Sequence, residues 1–167
     1  STFGIVGLAV TYALAHNLAK TYGVDSLSAG LLSLGGYVLL TPLLESEGGM
    51  GFPTKYLGTS GLFVGIIVAI ISTEIFRWFV EKDITIKMPS TVPPNVSRAF
   101  VAIVPGFFVI LLWFIIVVVC HYAGIENVHA LIANTIAKPL SVLTKTLPGI
   151  IFVILIQCFF WMFGIHG

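Results

Sequence analysis

Ala99-Phe-Val-Ala-Ile-Val-Pro-Gly-Phe-Phe-Val-Ile-Leu-Leu-Trp-Phe-Ile-Ile-Val-Val-Val-Cys-His-Tyr-Ala-Gly-Ile125 runs for 27 residues without a charge. An α-helix rises about 1.5 Å per residue, so roughly 20 apolar residues cross the hydrocarbon core of a bilayer. Four other uncharged stretches accompany this one, at 1–19, 26–44, 56–73 and 146–167, of 19, 19, 18 and 22 residues. Together the five cover 105 of the 167 positions. Only 9% of the residues are charged and 57% are hydrophobic, whereas about a quarter of a soluble domain is charged. The expectation is an all-α, polytopic transmembrane protein of five spans plus an amphipathic interfacial helix. A soluble enzyme, a secreted disulfide domain and a disordered tail are excluded by the same arithmetic.

The remaining composition narrows the class. A net charge of +1 gives no basic field to displace counterions from nucleic acid, so no nucleic-acid partner is expected. Cys120 and Cys158 both lie inside apolar runs and read as small buried hydrophobes, not as a disulfide or metal framework. No Walker loop, metal-ligand cluster or nucleophile motif occurs, so no metal or cofactor is expected. The partner that composition does demand is the lipid bilayer. Ser1 and Gly167 both fall inside uncharged stretches, which points to a piece of a longer protein.

Charge and proline divide the chain into five parts. Residues 1–80 read as three N-terminal spans. The first ends at the Lys20–Asp25 turn, where Gly23 suits a left-handed helix cap. The second runs from Leu27 to Leu44 and carries Gly30, Gly35 and Gly36, small residues that let a neighbouring backbone approach. Residues 81–98 read as a polar, Pro-rich linker, since Val92-Pro-Pro-Asn95 opposes a continuous helix. Residues 99–125 form the fourth span, broken early at Pro105-Gly106. Residues 126–145 place Val128, Leu131, Ile132, Ile136, Leu140 and Leu143 at near-helical spacing, as an amphipathic helix interrupted at Pro139 would. Residues 146–167 form the fifth span. Lys20, Arg77, Lys82, Lys87 and Arg98 gather on one side of this topology, so the 81–98 linker is expected in the cytoplasm.

Candidate chemistry rests on few side chains. His16 reads as a helix-end histidine, and His121 and His129 as solvated loop residues. His166, in Gly164-Ile-His-Gly167, differs because non-helical backbone at membrane depth requires protein burial or a wet cavity. It reads either as a group that binds a polar solute or handles a proton, or as an interfacial histidine. Trp161 could stack on the apolar face of a sugar ring, although composition alone favours an interfacial belt tryptophan. Glu74 and Arg77, three residues apart, suit a local ion pair. Glu45 and Glu47 suit a solvated loop.

The stretch from Ile84 to Phe107 closely resembles the enzyme IIC component of the bacterial phosphotransferase system (PTS), in its lactose/cellobiose/diacetylchitobiose family. The residues that carry the resemblance are Lys87, Pro89, Val92, Pro93, Val96, Ser97, Arg98 and Phe100, leading into Pro105-Gly-Phe107. Ala29-Gly-Leu-Leu-Ser33, Asn134-Thr-Ile-Ala-Lys-Pro-Leu140 and Trp161-Met-Phe-Gly-Ile-His-Gly167 also match. The resemblance implies a homodimeric permease of the bacterial cytoplasmic (inner) membrane. It would bind a β-linked disaccharide and release it inside as the 6-phosphosugar. The phosphoryl donor would be phosphorylated enzyme IIB, with enzyme IIA upstream. His166 would then lie in the sugar site near the hydroxyl that is phosphorylated, and Trp161 would be a sugar-stacking residue.

The family's second half, with its Asn-Glu-Pro motif, does not fall within these 167 residues. This chain would supply most of the helical domain and the start of the sugar-binding domain, and it is expected to be inactive alone. Two alternatives remain at this stage: a truncated, non-transporting membrane dimerisation scaffold, and a proton-coupled sugar transporter.

Overall fold

The computed structural model describes residues 2–46, 49–89, 91–138, 141 and 145–162. Its elements are α1 (Val6–Thr21), α2 (Ser26–Leu40), the hairpin strands β1 (Leu44–Ser46) and β2 (Gly49–Gly51), and α3 (Thr54–Leu57). They continue with α4 (Leu62–Glu81), α5 (Pro94–Tyr122), α6 (Val128–Ile132) and α7 (Leu147–Met162). The chain divides into two units, residues 1–131 and 132–167.

In the first unit α1 packs on α2 and α4, and α5 packs on the same two helices. Side-chain neighbours set the directions. Thr11 of α1 meets Gly65 early in α4, and Tyr22 meets Glu74 near its end, so α1 and α4 run parallel. Leu32 meets Gly106 and Gly36 meets Trp113, so α2 and α5 run parallel to each other. Tyr37, near the end of α2, meets Gly61 at the start of α4, which makes the two pairs antiparallel. One end of this bundle therefore collects the 22–25 turn, the end of α4 and the start of α5. The other collects α3, α6 and the hairpin side.

Local chemistry explains the ends of the helices. Asp25 caps α2 by accepting from the Ser28 N–H at 3.3 Å. Helices α1, α4 and α5 all close with the paired bonds of a Schellman motif. Val24 N–H reaches Ala19 C=O, Ile84 N–H reaches Phe79 C=O, and Ile125 N–H reaches Cys120 C=O. The left-handed residues that permit this are Gly23 at φ 71°, Asp83 at φ 59° and Gly124 at φ 68°, and the cap expected at Gly23 is present.

Several expectations need correction. The 92–98 segment is not extended throughout, because α5 starts at Pro94. A proline in the first turn loses no hydrogen bond, since that N–H has no partner within the helix. Nor does Pro105 break the span: α5 continues through it to Tyr122, with Pro105 buried against the bundle. Membrane helices tolerate such a proline when neighbouring helices enclose the freed backbone. The helix of the second stretch stops at Leu40, short of Leu44, where Thr41 and β1 take over. Gly30 and Gly36 receive the side chains of Tyr12 and Trp113, and not a neighbouring backbone. From Val128 the backbone forms only five residues of α-helix before a π-helical turn at Ala133–Ala137. Pro139 lies outside the described residues.

The faces of α5 run opposite to those of a soluble amphipathic helix. Val109 and Trp113 are fully enclosed, and Trp113 donates its indole N–H to Ser72 Oγ at 2.9 Å. The outward positions Ile103, Phe107 and Phe114 are each more than half exposed, where a helix in water would place polar residues. Thr59–Glu81 and Val96–Tyr122 are long and apolar enough to cross a membrane, and Ser26–Leu40 is a shorter apolar helix.

In the second unit, α7 begins where Thr146 Oγ1 accepts from the Gly149 N–H at 3.3 Å. Residues Ile150 to Leu155 are all exposed along it. Cys158, expected to be buried, is exposed there as well, while Cys120 is buried as expected.

Candidate functional site

The two residues singled out for a solute site sit at the end of the second unit. Trp161 belongs to the last turn of α7, and the position of its side chain is outside the described structure. His166 lies outside the described residues, as do Phe163, Gly164, Ile165 and Gly167. Helix α7 fixes only the run that leads into this segment: sixteen residues without a charge.

Apart from the enclosed Trp113–Ser72 contact, the polar side-chain clusters among the described residues lie at the two ends of the first unit. At the end that holds the 22–25 turn, Glu74 pairs with Arg77 Nη2 at 2.9 Å, and Arg77 Nε lies 3.8 Å from Glu81. The predicted local pair is therefore present. The sequence reading missed Tyr22, whose hydroxyl donates to the Glu74 carboxylate and whose ring lies 4.4 Å from the Arg77 guanidinium carbon. The hydrogen bond to Glu74 raises the Tyr22 phenol above its ordinary value of 10.0. A carboxylate that already accepts from a phenol and a guanidinium is a structural tie between α1 and α4.

At the opposite end, His129 departs from expectation. It is 1% exposed, whereas the sequence suggested a solvated loop residue. Its ring lies 4.8 Å from that of Tyr56 and meets Tyr37 edge-on at 5.6 Å, centroid to centroid. Nε2 lies 3.2 Å from Thr41 Oγ1. Tyr37 in turn donates its hydroxyl to the Tyr56 carbonyl at 2.5 Å, and Gly61 leaves the space this contact needs. Asn127 caps α6 by accepting from Ala130 N–H at 2.8 Å, and its amide donates to the Tyr56 hydroxyl at 3.4 Å. His121 is exposed, as expected, and His16 is partly buried, stacked on Tyr12 at 5.7 Å. Among the described residues no cluster of His, Cys, Asp and Glu could hold a metal ion.

Comparison with known proteins gives the context that this geometry lacks. The chain is 38% identical to the PTS cellobiose-specific EIIC component of Geobacillus stearothermophilus, over its whole length and 39% of that protein. It is 37% identical to the lichenan permease IIC component of Bacillus subtilis (strain 168), again over its whole length and 39% of that protein. The crystal structure of the transporter ChbC, the IIC component of the N,N'-diacetylchitobiose-specific phosphotransferase system, superposes with a TM-score of 0.87 at 36% identity. That alignment covers 99% of this chain and 40% of ChbC. The chain thus spans about two-fifths of the length of these relatives. The sequence profile of the phosphotransferase system EIIC family matches all of residues 1–167, and the chain belongs to that family.

Proposed function

We propose that this chain is the N-terminal part of a phosphotransferase-system permease. In the complete protein it would translocate a β-linked disaccharide of the cellobiose, diacetylchitobiose or lactose type while phosphorylated enzyme IIB supplies a phosphoryl group. The observation that carries this reading is the family match across the whole chain, including the segment that ends in Gly-Ile-His-Gly. Helices α1, α2, α4, α5 and α7 would be the five spans, with the 81–98 linker in the cytoplasm. Lys20, Arg77, Lys82, Lys87 and Arg98 would then all lie at the cytoplasmic end, consistent with the positive-inside bias. The protein would act as a homodimer in the bacterial inner membrane, with enzyme IIA charging enzyme IIB.

In this reading Trp161 offers an indole face to the apolar side of a sugar ring. His166 orients or deprotonates the primary hydroxyl that attacks phosphorus. Phosphoryl transfer depends mostly on positioning and charge stabilisation, and an imidazole at the attacking oxygen supplies both. The engagement of Glu74 by Tyr22 and Arg77 weighs against a proton-coupled mechanism that uses Glu74 as a relay.

The test is uptake of radiolabelled cellobiose by cells that express the complete permease, with and without enzyme IIB. Uptake should require enzyme IIB and survive collapse of the proton gradient while phosphoenolpyruvate is maintained. Uptake that persists unchanged without enzyme IIB and stops when the gradient collapses would establish the proton-coupled alternative instead.

A further inference from the structure

His129 is enclosed by three parts of the chain that lie far from it in sequence. Tyr37 comes from α2, Thr41 from the residue after that helix, and Tyr56 from α3. The hydrogen-bond inventory points to one tautomer. The Thr41 hydroxyl has one proton, which it donates to the Tyr37 carbonyl at 2.9 Å. Toward His129 it can therefore only accept, so Nε2 carries the hydrogen and donates to it. Nδ1 is then a bare lone pair, and it is buried with no hydrogen-bond partner among the described residues.

We propose that His129 is a proton-operated latch: neutral, it seats the start of α6 on the end of the helix bundle, and a proton taken from water onto Nδ1 unseats it. A protonated Nδ1 would be a buried donor with no acceptor, on a ring that now bears a full charge. Among the described residues no carboxylate pairs with the ring to balance this charge. Tyr37 and Tyr56 present aromatic rings, and Lys55 Nζ, 5.6 Å from the Tyr56 ring centroid, is of the same sign. Glu126 and His121 line a neighbouring cavity of about 140 Å³. Burial accordingly pushes its pKa from 6.5 down to about 4.

The sign follows from the linkage between protonation and opening. An imidazole that is neutral when seated and free to charge when released takes up a proton on release. The seated state is therefore fully favoured above the ordinary value of 6.5 and loses ground as pH falls toward about 4. Helix α6 is where the chain leaves the first unit. This inference stands on the first unit's geometry and does not depend on the transport reading.

Cys120 supplies the reporter, since it is buried and lines the same cavity as Asn127 and Val128. In the full chain carrying Cys158→Ser, labelling of Cys120 by a pyridyl disulfide would be followed from about pH 8 to about pH 4. It would be normalised to a cysteine placed at the exposed Tyr122 position in a chain without the native cysteines. The expected rate is flat above about pH 6.5, then rises by up to about tenfold per pH unit. His129→Gln, whose amide can still donate to Thr41 but cannot be protonated, should stay flat and low. A flat profile in the unsubstituted chain, or an equal rise in His129→Gln, would overturn the latch. Should His129→Gln fail to fold, nitrogen NMR of the imidazole in the unsubstituted chain decides. A neutral ring with the proton on Nε2 at about pH 5.5 supports the proposal, and a charged ring there overturns it.

Discussion

Trp113 and Ser72 show how this chain uses single polar contacts inside an apolar bundle. The indole N–H of α5 meets the hydroxyl of α4 where both are enclosed, and Gly36 of α2 leaves room for the ring. Ser72→Ala would leave the donor without an acceptor, at a cost of about 1 kcal/mol inside a helical membrane bundle. Trp113→Phe removes donor and indole together. In thermal unfolding of the full chain in detergent, the two substitutions should be less than additive, because the second removes the group that the first leaves unsatisfied. Strict additivity would mean that the contact contributes nothing. At this scale the sequence was only partly legible. Glu74 and Arg77 are three residues apart and could be paired by inspection, but Tyr22 reaches Glu74 across 52 residues of chain. His129 reaches Thr41 across 88. Burial of a lone histidine after a predicted loop leaves no periodic signal, so only the assembled fold could reveal it.

The helices themselves were more legible, because their limits follow from local rules. Gly23 announced the end of α1, and the same paired bonds close α4 and α5. The three caps differ in a testable way. A β-carbon at Gly23 or Gly124 would meet no other atom within 4 Å, so Gly23→Ala or Gly124→Ala would report backbone conformation alone. Each should cost about 1 kcal/mol. Asp83 already carries a side chain in the left-handed region, and its pair with Lys87 is solvent-exposed and worth little. Asp83→Gly should therefore leave thermal stability unchanged or raise it. A drop as large as that of the glycine variants would show that the Lys87 pair matters more than the backbone. Pro105 and the Pro93-Pro94 pair misled the sequence reading for one reason. A proline's effect depends on where the helix starts and on what encloses the freed carbonyl, and neither is written in the residues beside it. Likewise, near-helical spacing after Val128 could not distinguish α-helix from the π-turn that follows it.

At the scale of the whole molecule, composition pointed to a membrane protein, and the family match places the chain in the phosphotransferase system EIIC family. The first unit provides a tied bundle: Tyr22, Glu74 and Arg77 at one end, and Tyr37, Tyr56 and His129 at the other. The sugar chemistry was read from a motif at the far end of the chain, which spans about two-fifths of the length of the relatives it matches. The most direct measurement is phosphorylation of radiolabelled cellobiose by the purified complete permease supplied with phosphorylated enzyme IIB, comparing the unsubstituted protein with His166→Ala. The account predicts that the unsubstituted protein forms the 6-phosphosugar and that His166→Ala, with unchanged size and thermal stability, does not. Equal rates of phosphosugar formation by the two proteins would contradict it.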